Sequence, residues 1–87
     1  MIELKKSERL WTLQLNRPVK ANALTADMLE EIYEIAKNAH TARAFILTGS
    51  GRVFSAGADL EAAKAGLATS DVWERVSSAI ASLPCLT

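Results

Sequence analysis

Apolar and polar residues alternate near the start of the chain, and this pattern predicts two strands. The first is centred on residues 2–4 and the second covers residues 10–15. On one face of the second strand lie Trp11, Leu13 and Leu15. A polar turn at residues 6–8 separates the strands, and Pro18 ends the second because it cannot donate a hydrogen bond to a neighbouring strand.

Two later segments show the spacing of a helix with one apolar face. Residues 26–39 are predicted to be helical, with Thr25 as N-cap. The apolar face of this helix consists of Met28, Leu29, Ile32, Ile35, Ala36 and Ala39. A last helix is predicted to have Ser70 as N-cap and to end at Pro84. Its apolar stripe consists of Trp73, Val76, Ile80 and Leu83.

The segment between these helices is predicted to hold two more strands. Residues 43–48 are almost continuously apolar, which is typical of a strand covered on both faces. Residues 49–51 form a turn, and residues 53–54 are predicted to begin another short strand. Asp59 then caps a helical segment at residues 60–64. The order β-β-α-β-β-α indicates a mixed α/β unit.

Composition and charge exclude several classes of protein. The chain has 87 residues, which suffice for one small domain, and its hydrophobic share of 49% argues against disorder. Ten basic residues balance ten acidic ones, so no nucleic-acid partner is expected. Uncharged stretches are too short to predict a membrane span. The N-terminus lacks signal-peptide features and the chain has one cysteine, which predicts a cytoplasmic location.

Neither the single histidine nor the single cysteine predicts a metal site. His40 has no cysteine, aspartate or second histidine at ligand spacing, and it is interpreted as a surface or helix-end residue. Cys85 is interpreted as a small apolar residue in a buried segment. The sequence therefore predicts no metal.

The segment Ala56-Gly57-Ala58-Asp59 has the clearest chemical implication. Small residues let a ligand approach the main chain, and Gly57 permits an unusual backbone turn. The helical segment that follows directs its positive end toward the same point. One interpretation is an oxyanion site at the N–H of Ala58, with Gly57 as a possible second donor. The other is a strand-to-helix connection packed with small residues, and the residues alone leave both open.

Two neighbouring residue groups favour structural roles. Gly49-Ser50-Gly51 lacks the third glycine and following helix of a dinucleotide-binding loop, so a tight turn is the better interpretation. Ser55 lacks the Gly-x-Ser-x-Gly motif, and no histidine follows it in the chain to act as base. A nucleophilic Ser55 is therefore not expected.

Three linked motifs follow one another along the chain. They are Asn16-Arg17-Pro18 with Asn22-Ala23-Leu24, then Ile46-Leu47-Thr48-Gly49-Ser50-Gly51, then Phe54-Ser55-Ala56-Gly57-Ala58-Asp59-Leu60. In order and spacing they resemble the crotonase family, the enoyl-CoA hydratase/isomerases. The resemblance covers essentially the whole chain. It implies an α/β fold that starts a crotonase-type spiral of ββα units, with a mixed sheet and flanking helices, and a homo-oligomer, either trimer or hexamer.

The resemblance also implies a binding site for an acyl-CoA thioester, with coenzyme A as part of the substrate and no prosthetic group. The backbone N–H of Ala58 matches one of the two groups that hold the thioester oxygen when it becomes an enolate. Lys20 is expected to meet the phosphates of CoA, and Ala21 to lie along it. Main-chain groups of Ala56, Gly57 and Ala58 are expected to face the rest of the CoA.

Two parts of the family's catalytic apparatus have no match in the 87 residues. In the family, the second oxyanion N–H comes from a downstream glycine-rich segment, and the acid/base carboxylates lie beyond it. Residues 1–87 are therefore expected to be the N-terminal, incomplete part of a crotonase-fold domain. The parent would be an enoyl-CoA hydratase/isomerase of fatty acid metabolism, while the chain alone would be inactive. The alternative is a non-catalytic CoA-binding or oligomer-assembly fragment of the same fold.

Overall fold

A computed structural model describes the backbone of residues 1–87 and the side chains of all of them except Ala68. The strands are β1 (Ile2–Ser7), β2 (Leu10–Leu15) and β3 (Ala44–Gly49), and the helices are α1 (Ala26–Lys37), α2 (Leu60–Lys64) and α3 (Val72–Ala81). Short 3₁₀ turns occupy Pro18–Lys20, Ala39–Thr41 and Leu67–Thr69. The order is thus β-β-α-β-α-α.

The three strands form one mixed sheet in the order β1-β2-β3. β1 and β2 are antiparallel, whereas β2 and β3 are parallel and connected through α1. The hairpin turn consists of Glu8 and Arg9, both with positive φ (48° and 71°), as a two-residue turn of this kind requires. The predicted turn at residues 6–8 began too early, because Lys6 and Ser7 still pair with β2. The predicted mixed sheet with helices is confirmed.

The main core lies between β2 and the helices α1 and α3. The predicted inner face of β2 is confirmed, since Leu13 is fully buried and Trp11 and Leu15 are nearly so. The buried residues of this core are Trp11, Leu13, Leu15, Met28, Ile32, Ala39, Ala42, Phe45 and Leu83. Burial of these apolar side chains is the main stabilising term of a domain this small.

α1 begins as predicted, whereas the predicted Ser70 cap of α3 is wrong, because Asp71 occupies the cap position without a side-chain cap bond and α3 begins at Val72. The Thr25 hydroxyl accepts the N–H of Met28 at 3.2 Å, and the Ser70 hydroxyl accepts the N–H of Val72 at 3.2 Å. α1 ends at Lys37 rather than at residue 39, because the chain tightens into a 3₁₀ turn. The predicted stripe of α3 omitted Val72, which is buried against Leu29 and Leu67 in a second small core.

Two predictions for the central segment are wrong. β3 is not covered on both faces: Phe45 is buried, but Ile46 is 44% exposed at the edge of the sheet. No strand forms at residues 53–54, where Val53 and Phe54 are exposed in irregular backbone. Apolar character alone does not make a strand, because a strand also needs a neighbour with which to pair.

Candidate functional site

Two loops meet at one edge of the sheet. The first loop, residues 16–25, follows β2, and the second loop, residues 50–59, follows β3. Because β2 and β3 are parallel, their carboxyl ends lie side by side, with Leu15 paired to Gly49. In open α/β sheets, ligands bind outside the carboxyl ends of the strands. The position of the two loops therefore matches that of a ligand site.

Backbone hydrogen bonds join the two loops. The N–H of Ala56 donates to the carbonyl of Ala21 at 2.9 Å. Leu24 makes two bonds: its N–H donates to the carbonyl of Gly57 at 2.7 Å, and its carbonyl accepts the N–H of Asp59 at 2.8 Å. The second loop is therefore fixed along the first without forming a regular strand.

These bonds leave the N–H of Ala58 on the opposite side. In a parallel bridge, one residue bonds to the neighbours of its partner, so the amide of Ala58 points away from Leu24. Among the residues that the structure describes, no acceptor receives this N–H. The N–H of Gly57 donates to the Ser55 hydroxyl at 3.1 Å, and that of Ala56 is bonded to Ala21. Of these three small-residue amides, Ala58 alone is available to a ligand within the described chain.

Asn22 connects the two loops through its side chain. It is fully buried and has a φ of 54°, a conformation that asparagine tolerates better than most residues. Its Oδ1 accepts the N–H of Arg17, and its Nδ2 donates to the carbonyls of Ser50 and Val53, each at 2.8 Å. The amide thus has partners for both donors and for its oxygen, as a buried polar group requires.

An ion pair joins the start of the first loop to the end of the second loop. Nη1 of Arg17 lies 2.9 Å from Oδ2 of Asp59 and also donates to the carbonyl of Ala23 at 3.0 Å. Oδ1 of Asp59 accepts the N–H of Ala62, which confirms the predicted cap of α2. The N–H of Ala62 and the guanidinium of Arg17 hold the pKa of Asp59 below its ordinary value, because both stabilise the carboxylate.

This cap changes the interpretation of the helix end. α2 has only five residues, and its first-turn N–H of Ala62 is already bound to the carboxylate of Asp59. The positive end of α2, which the sequence suggested as part of an anion site, is therefore neutralised within the chain. The case for a ligand rests on the N–H of Ala58.

We call the region where residues 16–25 and 50–59 meet the loop junction. Two glycines are needed there for different reasons. A Cβ on Gly49 would lie 2.3 Å from the carbonyl oxygen of Phe54 and 2.8 Å from Nδ2 of Asn22, so only glycine lets the second loop pack here. At Gly57 there is open space, but φ is 95°, which side chains rarely permit. The predicted unusual turn at Gly57 is confirmed.

The other predicted CoA contacts lie on the surface of the same junction. Lys20 is exposed at the end of the 3₁₀ turn, and the half-buried Ala21 has a φ of 51°. Ala56 is exposed, but its N–H is engaged, so it can offer a ligand only its carbonyl. The structure brings Ala21, Ala56 and Ala58 together through the bonds that join the loops.

An open depression of about 540 Å³ lies beside Ala58. Its other lining residues belong to the start of α3 and the turn before it: Thr69, Ser70, Asp71, Trp73 and Glu74. The indole N–H of Trp73 donates to the carbonyl of Leu67 at 3.0 Å, which fixes the ring. A second groove of about 600 Å³ between α1 and α3 contains no residue of either loop.

The remaining candidate residues lie elsewhere. His40 is exposed after α1, and Cys85 packs half-buried against the main core. Among the described residues, no three His, Cys, Asp or Glu side chains gather as a metal site would require. None of the helices described here has the length and apolar character needed to cross a membrane.

Comparison with known proteins identifies the family. The profile described as "Enoyl-CoA hydratase/isomerase" matches residues 5–83. The probable enoyl-CoA hydratase echA6 of Mycobacterium tuberculosis is 42% identical over 62 residues, which cover 69% of this chain and 26% of that protein. The small ribosomal subunit protein mS47 of Schizosaccharomyces pombe is 38% identical over 66 residues, which cover 72% of this chain and 15% of that protein.

The solved structures agree with this assignment. The crystal structure of enoyl-CoA hydratase EchA8_6 from Mycobacterium marinum superposes with a TM-score of 0.78 at 29% identity, covering 97% of this chain and 44% of that one. The chain thus spans about a quarter of the length of the M. tuberculosis hydratase and less than half of the M. marinum structure. By sequence and by fold, the chain belongs to the enoyl-CoA hydratase/isomerase family, the crotonases.

Proposed function

We propose that the chain contributes an acyl-CoA thioester site to an enzyme of the enoyl-CoA hydratase/isomerase type, with the N–H of Ala58 as one donor of an oxyanion hole. The observation that carries the proposal is the orientation of this amide. It is directed away from the loop junction while the amides of Ala56 and Gly57 are bonded inside it. Membership of the family supplies the substrate class.

The chemistry requires this donor when charge develops on the thioester oxygen. Removal of a proton next to the carbonyl, or attack on the conjugated double bond, moves negative charge onto that oxygen. One preorganised N–H at this position contributes about 3–4 kcal/mol to the stability of the transition state. The donor needs no reorientation during the reaction, because the junction already fixes it.

The two loops supply no free base for the proton transfer. The only carboxylate in the two loops belongs to Asp59, which is paired with Arg17 and with the N–H of Ala62. A carboxylate stabilised in this way is a weak base. We therefore propose that residues 1–87 form the N-terminal, incomplete part of the catalytic domain and do not turn over an enoyl-CoA by themselves.

The proposal assigns the remaining parts of CoA to the same surface. Lys20, which is exposed beside the junction, would attract the phosphates, and the backbone of Ala21, Ala56 and Gly57 would lie along the CoA. The acyl group would extend from Ala58 into the neighbouring depression, where Trp73 supplies an apolar wall. We further propose that the enzyme is a cytoplasmic homo-oligomer, either a trimer or a hexamer, that acts in fatty acid metabolism.

Nuclear magnetic resonance tests the central contact. The ¹⁵N-labelled chain is titrated with acetyl-CoA and, as a matched control ligand, with CoA, which lacks the thioester carbonyl. We expect the Ala58 amide proton to shift downfield with acetyl-CoA only, while the bonded amides of Ala56 and Gly57 move little. Binding of acetyl-CoA without a selective shift at Ala58 would contradict the oxyanion role.

The phosphate contact is tested separately by calorimetry. Lys20→Ala is expected to weaken acetyl-CoA and CoA by the same factor, because both ligands carry the same phosphates. Lys37→Ala removes another exposed lysine, which lies in α1 away from both loops, and should leave both affinities unchanged. Equal effects of the two substitutions would show a non-specific charge effect instead of a site at Lys20.

One observation favours a second candidate function. A relative that is 38% identical over 66 residues is named as a ribosomal subunit protein, so a similar sequence occurs in a protein named for its place in an assembly. The alternative for this chain is a non-catalytic CoA-binding or oligomer-assembly unit. Sedimentation velocity over a range of concentrations separates the alternatives when combined with the titrations. Self-association without thioester binding supports assembly, and equal binding of CoA and acetyl-CoA without a shift of the Ala58 amide supports a CoA-binding unit. Thioester binding at Ala58 supports the enzyme site.

A further inference from the structure

We infer that Asn22 and Ser55 are positioning residues whose side chains fix the direction of the Ala58 N–H. Neither side chain need touch the substrate for this role. The inference rests on the proposed thioester site, since it concerns how that site keeps its donor oriented. It assigns a function to a buried asparagine and to a serine that the sequence disfavoured as a nucleophile.

The direction of the Ala58 N–H depends on the peptide plane that it shares with the Gly57 carbonyl. In a trans peptide, the carbonyl and the following N–H point in opposite directions. The carbonyl of Gly57 accepts the N–H of Leu24 at 2.7 Å, so the N–H of Ala58 must face away from the first loop. No cis peptide bond occurs in the part of the chain that the structure describes.

The preceding peptide plane needs its own support, because Gly57 has a φ of 95° and the widest conformational freedom of any residue. Ser55 supplies that support. Its hydroxyl accepts the N–H of Gly57 at 3.1 Å and donates to the carbonyl of Asn22 at 2.8 Å. Both peptide planes on either side of Gly57 are thus bonded, one to Leu24 and one to Ser55.

Asn22 supports Ser55 through its main chain and the start of the second loop through its side chain. Its carbonyl receives the Ser55 hydroxyl, while its Nδ2 holds the carbonyls of Ser50 and Val53 at the start of the second loop. The side chain is fully buried and every polar atom has a partner. A buried group that is hydrogen-bonded on several sides has a single low-energy orientation, and it restricts the conformation of the residues bonded to it.

The role differs from that of a core residue. Neither Asn22 nor Ser55 belongs to the apolar clusters that hold the sheet to the helices. Loss of the Ser55 hydroxyl should therefore disturb the loop more than the fold. A purely structural serine would change stability without selectively changing the Ala58 amide.

Ser55→Ala and Ser55→Thr test this difference, with Ser77→Ala on the exposed surface of α3 as matched control. Each variant is compared with the natural chain by circular dichroism, by the shift and hydrogen exchange of the Ala58 amide, and by acetyl-CoA affinity. We expect Ser55→Ala to keep its circular dichroism, shift the Ala58 and Gly57 amides, and bind about tenfold more weakly. Ser55→Thr, which retains the hydroxyl, should restore the affinity.

Asn22→Asp gives an independent test with almost unchanged shape. It keeps an oxygen for the N–H of Arg17 but replaces the two donors that hold Ser50 and Val53. We expect a larger loss of thioester affinity than with Ser55→Ala. The control is Asn38→Asp, because Asn38 donates to a single exposed backbone carbonyl, that of Glu34. If Asn22→Asp fails to fold, the Ser55 variants decide.

The outcomes separate this inference from the proposed function. Binding by the natural chain together with unchanged affinity and Ala58 amide in Ser55→Ala would overturn the inference and leave the thioester site intact. If the natural chain does not bind acetyl-CoA, the proposed function fails. The positioning role is then decided by the free protein: an Ala58 amide unchanged in Ser55→Ala overturns it, and a selective change supports it.

Discussion

The apolar core and the loop junction hold the chain together in different ways. In the core, β2 and α1 bury side chains whose positions follow the local period of a strand or a helix. At the junction, the main contacts are hydrogen bonds between residues 28 to 42 positions apart, such as those from Asn22 to Ser50 and from Arg17 to Asp59. The core supplies the stability, and the junction supplies the geometry of the site. The two regions should therefore respond differently to substitution.

The largest effect is expected in the core. Leu13→Ala should reduce the free energy of unfolding by about 2–5 kcal/mol, because Leu13 is fully buried and its removal leaves a cavity. Leu10→Ala in the same strand is the control, since Leu10 is 38% exposed. Urea unfolding followed by circular dichroism measures both. Equal losses in the two variants would contradict the assignment of Leu13, and not Leu10, to the core.

A substitution that crowds the junction should have the next largest effect. Gly49→Ala places a Cβ against the carbonyl of Phe54 and Nδ2 of Asn22, and overpacking of this kind costs about 1–3 kcal/mol. Gly66→Ala serves as control, because its Cβ would meet open space although φ is 106°. Amide shifts of the second loop should change in Gly49→Ala and stay constant in Gly66→Ala. A reversed result would contradict the close packing of the second loop against Gly49.

A smaller effect is expected at the start of α1. Thr25→Ala removes the hydroxyl that accepts the N–H of Met28 and should cost about 1 kcal/mol of unfolding free energy. Thr41→Ala, at an exposed position after the helix, should cost less. Thr25 also ends the first loop. The amide shifts of the two loops in Thr25→Ala therefore show whether the cap of α1 influences the loop junction. Unchanged shifts at Ala58 would indicate that the two regions are independent.

The smallest effect is expected from the charge of Asp59. Because its pKa is lowered in the folded chain, the carboxylate adds stability above its ordinary pKa of 3.8, and this contribution is lost as the pH falls through the lowered value. Asp59→Asn keeps a capping side chain but not the charge. The difference in stability between the natural chain and the variant should therefore shrink as the pH falls below about 4. A difference that grows toward acid pH would contradict the ion pair with Arg17.

The sequence predicted best what depends on neighbouring residues. The inner face of β2, the caps at Thr25 and Asp59, and the turn at Gly57 are confirmed because each follows from a few consecutive residues. The strand predicted at residues 53–54 was wrong because that prediction also used only a few consecutive residues. Its apolar residues suggested a strand, but strand formation depends on a partner that local pattern does not reveal.

The contacts of the site were less accessible to prediction. Asn22 and Arg17 were recognised only as parts of family motifs, because their partners lie far along the chain. The available signal was a lone asparagine between two alanines in a loop, a residue type that tolerates positive φ. The engagement of the Gly57 amide by Ser55 could not be predicted either, since it depends on the conformation of the loop itself.

The long sequence separation across the junction also has a consequence for folding. Bonding of Asn22 to Val53 closes a segment of 31 residues, and a loop of this length costs about 3 kcal/mol in chain entropy before the bond forms. Docking of α1 and β3 beside β2 brings the ends together and thereby reduces this cost. We therefore expect the orientation of the Ala58 amide to be established late, after the sheet. During partial unfolding, it should be among the first features to be lost.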